Sequence, residues 1–168
     1  PGPVITLLTD FGLADPYVGV MKGVILGINP RVNLVDLTHE VPPQDILRGS
    51  FLLSTAWHYF PKSTVHLAVV DPGVGTERQP LLLEVQGHFF LTPDNGLISF
   101  ILPREETALP PFELYQSPVP EGCRAYHLTD HRYWRDPVSA TFNGRDVFAP
   151  VAAHLSEGLD SKEFGVSV

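Results

Sequence analysis

The sequence is almost without cysteine: Cys123 is the single one in 168 residues. That excludes an internal disulfide and any cysteine-rich zinc site, and it fits a reducing, cytoplasmic compartment. Basic runs are missing as well. The formal net charge is -8, which argues against a nucleic-acid partner, because that needs a cationic footprint. No apolar stretch reaches the length of a membrane span, and the N-terminus carries no charged-then-apolar signal pattern, so no membrane partner is expected. Neither G-x-G-x-x-G nor G-x-x-x-x-G-K-[ST] occurs, which argues against a site that cradles a pyrophosphate. His39, His58, His66, His88 and His154 are scattered. They lack metal-ligand spacing, so no metal is expected and a hydrogen-bonded structural role is their default.

Proline is in excess. The 17 prolines are roughly twice the usual share and fall mainly between candidate elements, where they stiffen loops. Hydrophobic content of 43% with 18% charged residues describes an ordinary globular chain of single-domain length. Apolar periodicity and turn residues predict strands over 4–9, 32–37, 64–70, 80–86 and 88–91, and helices over 17–28 and 45–59. The last two strands, split at Gln86-Gly87, read as a hairpin. A short helix is expected over 95–102, an irregular excursion over 103–125, and a helix from Asp146 to Glu157 closed by Gly158. Strand-helix alternation in the first 70 residues predicts a parallel core with right-handed crossovers.

Three loops carry the candidate chemistry. The apolar run Val65–Val70 ends in Asp71-Pro72-Gly73-Val74-Gly75-Thr76-Glu77-Arg78, a tight-backbone loop with a carboxylate at its start and a guanidinium at its end. Ligands in open α/β sheets sit outside the carboxyl ends of strands, which makes Asp71 a candidate; the alternative is a surface turn with a solvated ion pair. The first strand ends in Asp10-Phe11-Gly12. A carboxylate there can accept from both hydroxyls of a ribose diol, or it caps a turn. In the third loop, Thr141-Phe142-Asn143-Gly144-Arg145-Asp146, a glycine at a helix entry lets backbone amides approach a ligand. A plain helix entry with Asp146 complementing the dipole is the alternative.

Together with Asn33–His39 and Thr92-Pro93-Asp94-Asn95-Gly96, these three loops resemble the S-adenosyl-L-methionine (SAM) hydrolases that form adenosine. These make up the SAM hydroxide adenosyltransferase family, related to fluorinase and chlorinase. The resemblance implies an α/β fold over residues 1–168: a Rossmann-like layered domain with a mostly parallel central sheet flanked by helices, plus a β-hairpin. It implies that this is the family's N-terminal domain, with the usual C-terminal β-barrel absent after Val168. It also implies a homotrimer, with each active site between the N-terminal domain of one subunit and the C-terminal domain of its neighbour. SAM is the substrate and no cofactor is implied.

The resemblance further assigns roles by position. Asp71 and Arg78 match two of the Asp, Arg and His that handle the attacking water. Asn143 stands where the motif Thr-Phe-His-Gly-Arg-Asp has His; Asn orients a water but does not take up its proton. His127 and His131 are near in sequence but off the motif. Asp10 is expected on the ribose hydroxyls. Asp15 is expected either at the methionine ammonium or as the cap before Pro16. Phe142 is expected against the sugar or base, or in the core, and Gly144 is expected to leave room at the reacting carbon. The expected reaction is in-line attack of an ordered water on the ribose C5 carbon. A non-catalytic adenosine- or SAM-binding module, or an inactive truncated form, is the alternative. Halide-dependent cleavage is disfavoured by Asp71, because the related halogenases carry an aromatic residue there.

Overall fold

The computed structural model describes residues 2–103 and 116–168. Among the described residues, strands β1 (Val4–Thr9), β2 (Asn33–Thr38), β3 (Val65–Val69), β4 (Pro80–Val85), β5 (His88–Pro93), β6 (Arg124–Leu128) and β7 (Gly165–Ser167) form one sheet in the order β2-β1-β3-β5-β4-β6-β7. β2, β1, β3 and β5 run parallel; β4 is antiparallel to both β5 and β6, and β7 to β6. Helices α1 (Tyr17–Ile28), α2 (Ile46–Ala56) and α3 (Ala149–Ser156) cover it.

Residue alternation along the strands divides the core between the two faces. Ile5, Leu7, Leu67 and Leu91 pack with Met21 and Ile25 of α1 and with Val151 and Leu155 of α3. Leu8, Ala68, Leu83 and Phe90 pack on the opposite side with Leu53 of α2 and with Leu97. A mostly parallel sheet buried on both faces is the expected layered α/β arrangement. The hairpin is also as expected: β4 and β5 pair antiparallel, and Gln86 and Gly87 at the turn have φ of 50° and 79°, the left-handed pair that a two-residue hairpin turn requires.

Four expectations need correction. The helix expected over 45–59 is α-helical only to Ala56 and then tightens into a 3₁₀ turn, Trp57–Tyr59. Pro61 explains the stop, since Phe60 before it is driven to extended backbone (φ -89°, ψ 154°). Residues 95–102 form successive turns rather than a helix: Gly96 adopts φ 91° and the bonds run from Ser99 N–H to Gly96 O and from Ile101 N–H to Ile98 O. The excursion expected over 103–125 ends in β6, whose first residues Arg124 and Ala125 pair with Glu84 and Leu83; residues 104–115 of that span lie outside the described residues. The helix expected from Asp146 begins as a π-helical turn, Gly144–Phe148, before α3.

Candidate active site

β1 and β3 are neighbours in parallel register, with Thr9 opposite Val69. Asp10 and Asp71 therefore leave the carboxyl end of the sheet together. Both line one cleft with Phe11, Phe142, Asn143 and Gly144. Five of the sequence-predicted site residues thus meet in it, and Arg78 joins them through Asp71. Asp15 does not. It is exposed, outside the cleft lining, and offers α1 no cap; the N-cap residue is Pro16, with no side-chain bond.

Asp71 is nearly buried and its Oδ1 accepts from Arg78 Nη1 at 2.6 Å and from the Gly73 N–H at 3.0 Å. Among the described residues Oδ2 has no partner. Glycine makes this fold-back possible: a Cβ on Gly73 would sit 2.3 Å from Arg78 Nη2. Gly75, at φ +81°, brings the same loop against the third one, where a Cβ would lie 2.8 Å from the Ala140 carbonyl oxygen. The Asp10 carboxylate accepts at Oδ2 from the Gln44 N–H at 2.8 Å, a donor that sequence reasoning missed because it lies 34 residues away.

Phe142 stands edge-on to Phe11 at 6.1 Å and to Tyr17 at 5.4 Å, and the Arg145 guanidinium lies 5.1 Å from its ring centroid. These contacts fix it as a wall rather than a free ring. Asn143 opens the π-helical turn without using its side chain as a cap, and among the described residues its amide makes no hydrogen bond. Gly144 lines the cleft, but its missing side chain serves packing too: a Cβ would press on Met21 Sδ at 3.2 Å. The turn thus packs closely on the Met21 side chain of α1.

Asp146 is fully buried, which the dipole role expected for it does not capture. Arg145 donates to it through Nε at 2.7 Å and Nη2 at 3.0 Å, and the Ser139 N–H donates at 2.7 Å. Burial pushes its carboxyl up, but these donors outweigh burial and hold it below the usual carboxylate range. His127 and His131 lie outside the cleft lining: His127 Nε2 is 3.0 Å from Asp94 Oδ2, and His131 stacks on Trp134. Among the described residues no group of three or more His, Cys, Asp or Glu could hold a metal ion.

The family model for the SAM hydroxide adenosyltransferase N-terminal domain matches residues 5–165. The chain belongs to this family. A curated relative, the (R)-S-adenosyl-L-methionine hydrolase of Salinispora tropica, is 41% identical over all of this chain and 59% of its own length. The crystal structure of an uncharacterized conserved protein from Thermotoga maritima superposes with a TM-score of 0.85 at 38% identity, covering 98% of this chain and 58% of that one. A fluorinase from Actinoplanes sp. is more distant, at 24% identity over 97% of the chain and 57% of its own. The chain spans less than two thirds of the length of each. Within the SAM hydroxide adenosyltransferase N-terminal domain described here, the cleft is built by three loops at the carboxyl end of the sheet.

Proposed function

We infer that the cleft binds S-adenosyl-L-methionine and that the whole protein hydrolyses it to adenosine and L-methionine. The observation that carries this reading is the Asp71 carboxylate: Arg78 and Gly73 hold one oxygen, while the other has no partner among the described residues, in a cleft that Asn143 also lines. That is an arrangement for holding a water. The names of the curated relatives support the substrate.

The chemistry needs little else. Water forms the new bond to the ribose C5 carbon as the carbon–sulfur bond breaks. The electron pair goes to the sulfonium sulfur, so methionine leaves as a neutral thioether and needs no general acid. The water's proton passes to Asp71 and then to solvent. Asn143 orients the water by hydrogen bonds without taking that proton. Near-attack geometry can supply roughly 7–11 kcal/mol of barrier reduction, so positioning dominates. Asp10 holds the ribose hydroxyls, and Phe142 packs beside the sugar. Asp15, exposed on the loop before α1 and outside the cleft lining, remains the candidate for the methionine ammonium. A halide in place of water would meet the Asp71 charge, which opposes it. The homotrimer implied by the family resemblance and a cytoplasmic location belong to the same proposal.

Incubation with SAM, reading adenosine and methionine by chromatography with and without chloride, tests the reading. Equal adenosine in both conditions supports the hydrolase. A chloride-dependent product overturns water as the nucleophile. Adenosine binding without turnover overturns catalysis in favour of a binding module.

A further inference from the structure

The strand end Asp36–His39 has no task in that reading, yet it and the residues after it brace the turn that carries Asp10. His39 Nδ1 lies 2.7 Å from Thr9 Oγ1. The Gly12 N–H donates to the His39 carbonyl at 2.8 Å, and the Val41 N–H to the Thr9 carbonyl at 3.4 Å. Thr9 and His39 are both buried, at 0% and 3% exposure, so these bonds are sheltered from water. The direction of the chain follows from its ends. Thr9 Oγ1 accepts from the Phe11 N–H at 3.2 Å, and its hydrogen is free to go to His39 Nδ1. His39 Nε2 lies 2.7 Å from Asp36 Oδ1, and an ionised carboxylate only accepts. A neutral ring between these two partners is protonated at Nε2 and accepts at Nδ1. Lys22 Nζ holds the other Asp36 oxygen at 2.6 Å. Burial pushes the Asp36 carboxyl up, but the Lys22 and His39 bonds prevail and keep it below its ordinary value, hence ionised.

Asp10 has one hydrogen-bond partner among the described residues, the Gln44 N–H. Its aim is otherwise set by the backbone on either side, and Thr9 Oγ1 ties both sides to His39. We propose that His39 is a positioning residue for Asp10: its ring, held in one tautomer by Asp36, pins the Thr9–Gly12 turn and so directs the Asp10 carboxylate into the cleft. The proposal rests on Asp10 as the ribose ligand.

Calorimetric titration of the intact protein with adenosine tests it, using Asp10→Ala, His39→Ala and the double variant, with melting temperatures alongside. His39→Ala and Asp10→Ala should each weaken adenosine about tenfold, on the order of one hydrogen bond to a charged group. The double variant should bind no more weakly than Asp10→Ala alone, because His39 acts only through Asp10. Additive losses would assign His39 a general structural role and overturn the proposal, as would unchanged affinity in His39→Ala. If Asp10→Ala binds normally, the ribose role of Asp10 falls first and the proposal with it. Should His39→Ala fail to fold, Asp36→Ala leaves the ring in place and alters a side chain that is 39% exposed. Nitrogen-15 shifts should show the Nε2–H tautomer in the parent and lose it in that variant, together with affinity. Loss of the tautomer with unchanged affinity overturns the proposal too.

Discussion

The Arg135 N–H lies 2.8 Å from the Asp146 carbonyl oxygen, and it can do so because Pro150, four residues on, has no N–H to bond there. The Asp146 side chain fastens the same loop again through the Ser139 N–H at 2.7 Å. Backbone and carboxylate of one residue thus hold the segment 135–141, which presses Ala140 against Gly75 and leads into Phe142 and Asn143. The third wall of the cleft depends on this staple.

Asp146→Ala should therefore cost about 1–3 kcal/mol of stability, since it leaves the partly buried Ser139 N–H without its acceptor and removes charge-assisted bonds. Arg145 is one-third exposed and re-solvates, which keeps the loss below that of a fully buried pair. Urea unfolding measures it. A loss under about 1 kcal/mol would mean that the loop holds its place without Asp146.

Two glycines of the Asp71 loop should respond differently to alanine. At Gly75 the backbone is left-handed and the neighbour is a rigid carbonyl, 2.8 Å from the added carbon. Gly75→Ala should cost about 1–3 kcal/mol and impair turnover through misplacement of two loops. At Gly73 the neighbour is the movable tip of Arg78. Gly73→Ala should cost less stability yet impair turnover as strongly, because it displaces the Arg78 guanidinium from Asp71. Thermal melts with steady-state rates on both variants check the contrast; equal stability losses would refute it.

Local signals made much of this legible. Runs such as Val4–Thr9 and Val65–Val69 are apolar and bounded by turn residues, so β1, β3 and the carboxylates after them could be read directly. β6 and β7 could not, because they are short and exist through pairing with β4 and with each other. The π-helical turn Gly144–Phe148 leaves no periodic signal in the sequence. Asp10, Asp71, Phe142, Asn143 and Gly144 line one cleft, whereas Gln44 and His39 reach Asp10's turn across 30 or more residues. Asp146, which the sequence offers as a dipole-complementing residue at a helix entry, is fully buried.

Acidification should destabilise the protein in two stages. His66 is buried, stacked on Phe90 and His88, with Thr6 Oγ1 at 2.7 Å from Nδ1. Burial, with a smaller push from His88, lowers its pKa to about 3. His88 is lowered too, by burial and then by Lys62. A histidine with a depressed folded pKa binds fewer protons folded than unfolded, so its contribution is full above about 6.5 and is lost as pH falls toward about 3. Asp146 and Asp36, also depressed, lose theirs only below the ordinary carboxylate value of 3.8. Urea midpoints between pH 7 and 4 (roughly the histidine window) should decline first. His66→Gln should flatten that decline while leaving the steeper loss at lower pH; an unchanged slope would remove His66 as its source.

Asp71 and Asn143 should separate binding from turnover. Asp71→Asn keeps the shape and an acceptor for Gly73 but removes the charge that receives the proton, so turnover should vanish while adenosine affinity stays within about tenfold. Collapse of both would make Asp71 a ligand-holding group. Asn143 lines the cleft with an amide that has no partner among the described residues, so a ring at this position displaces no existing bond. Asn143→His adds a group that titrates near neutral pH where the Asn can only orient. Turnover should rise, and a new limb near pH 6–7, roughly the ordinary histidine range, should enter the rate profile. A higher rate without that limb would mean that the imidazole improves water placement alone; an unchanged rate would mean that Asp71 and Arg78 already hold the water without help from position 143.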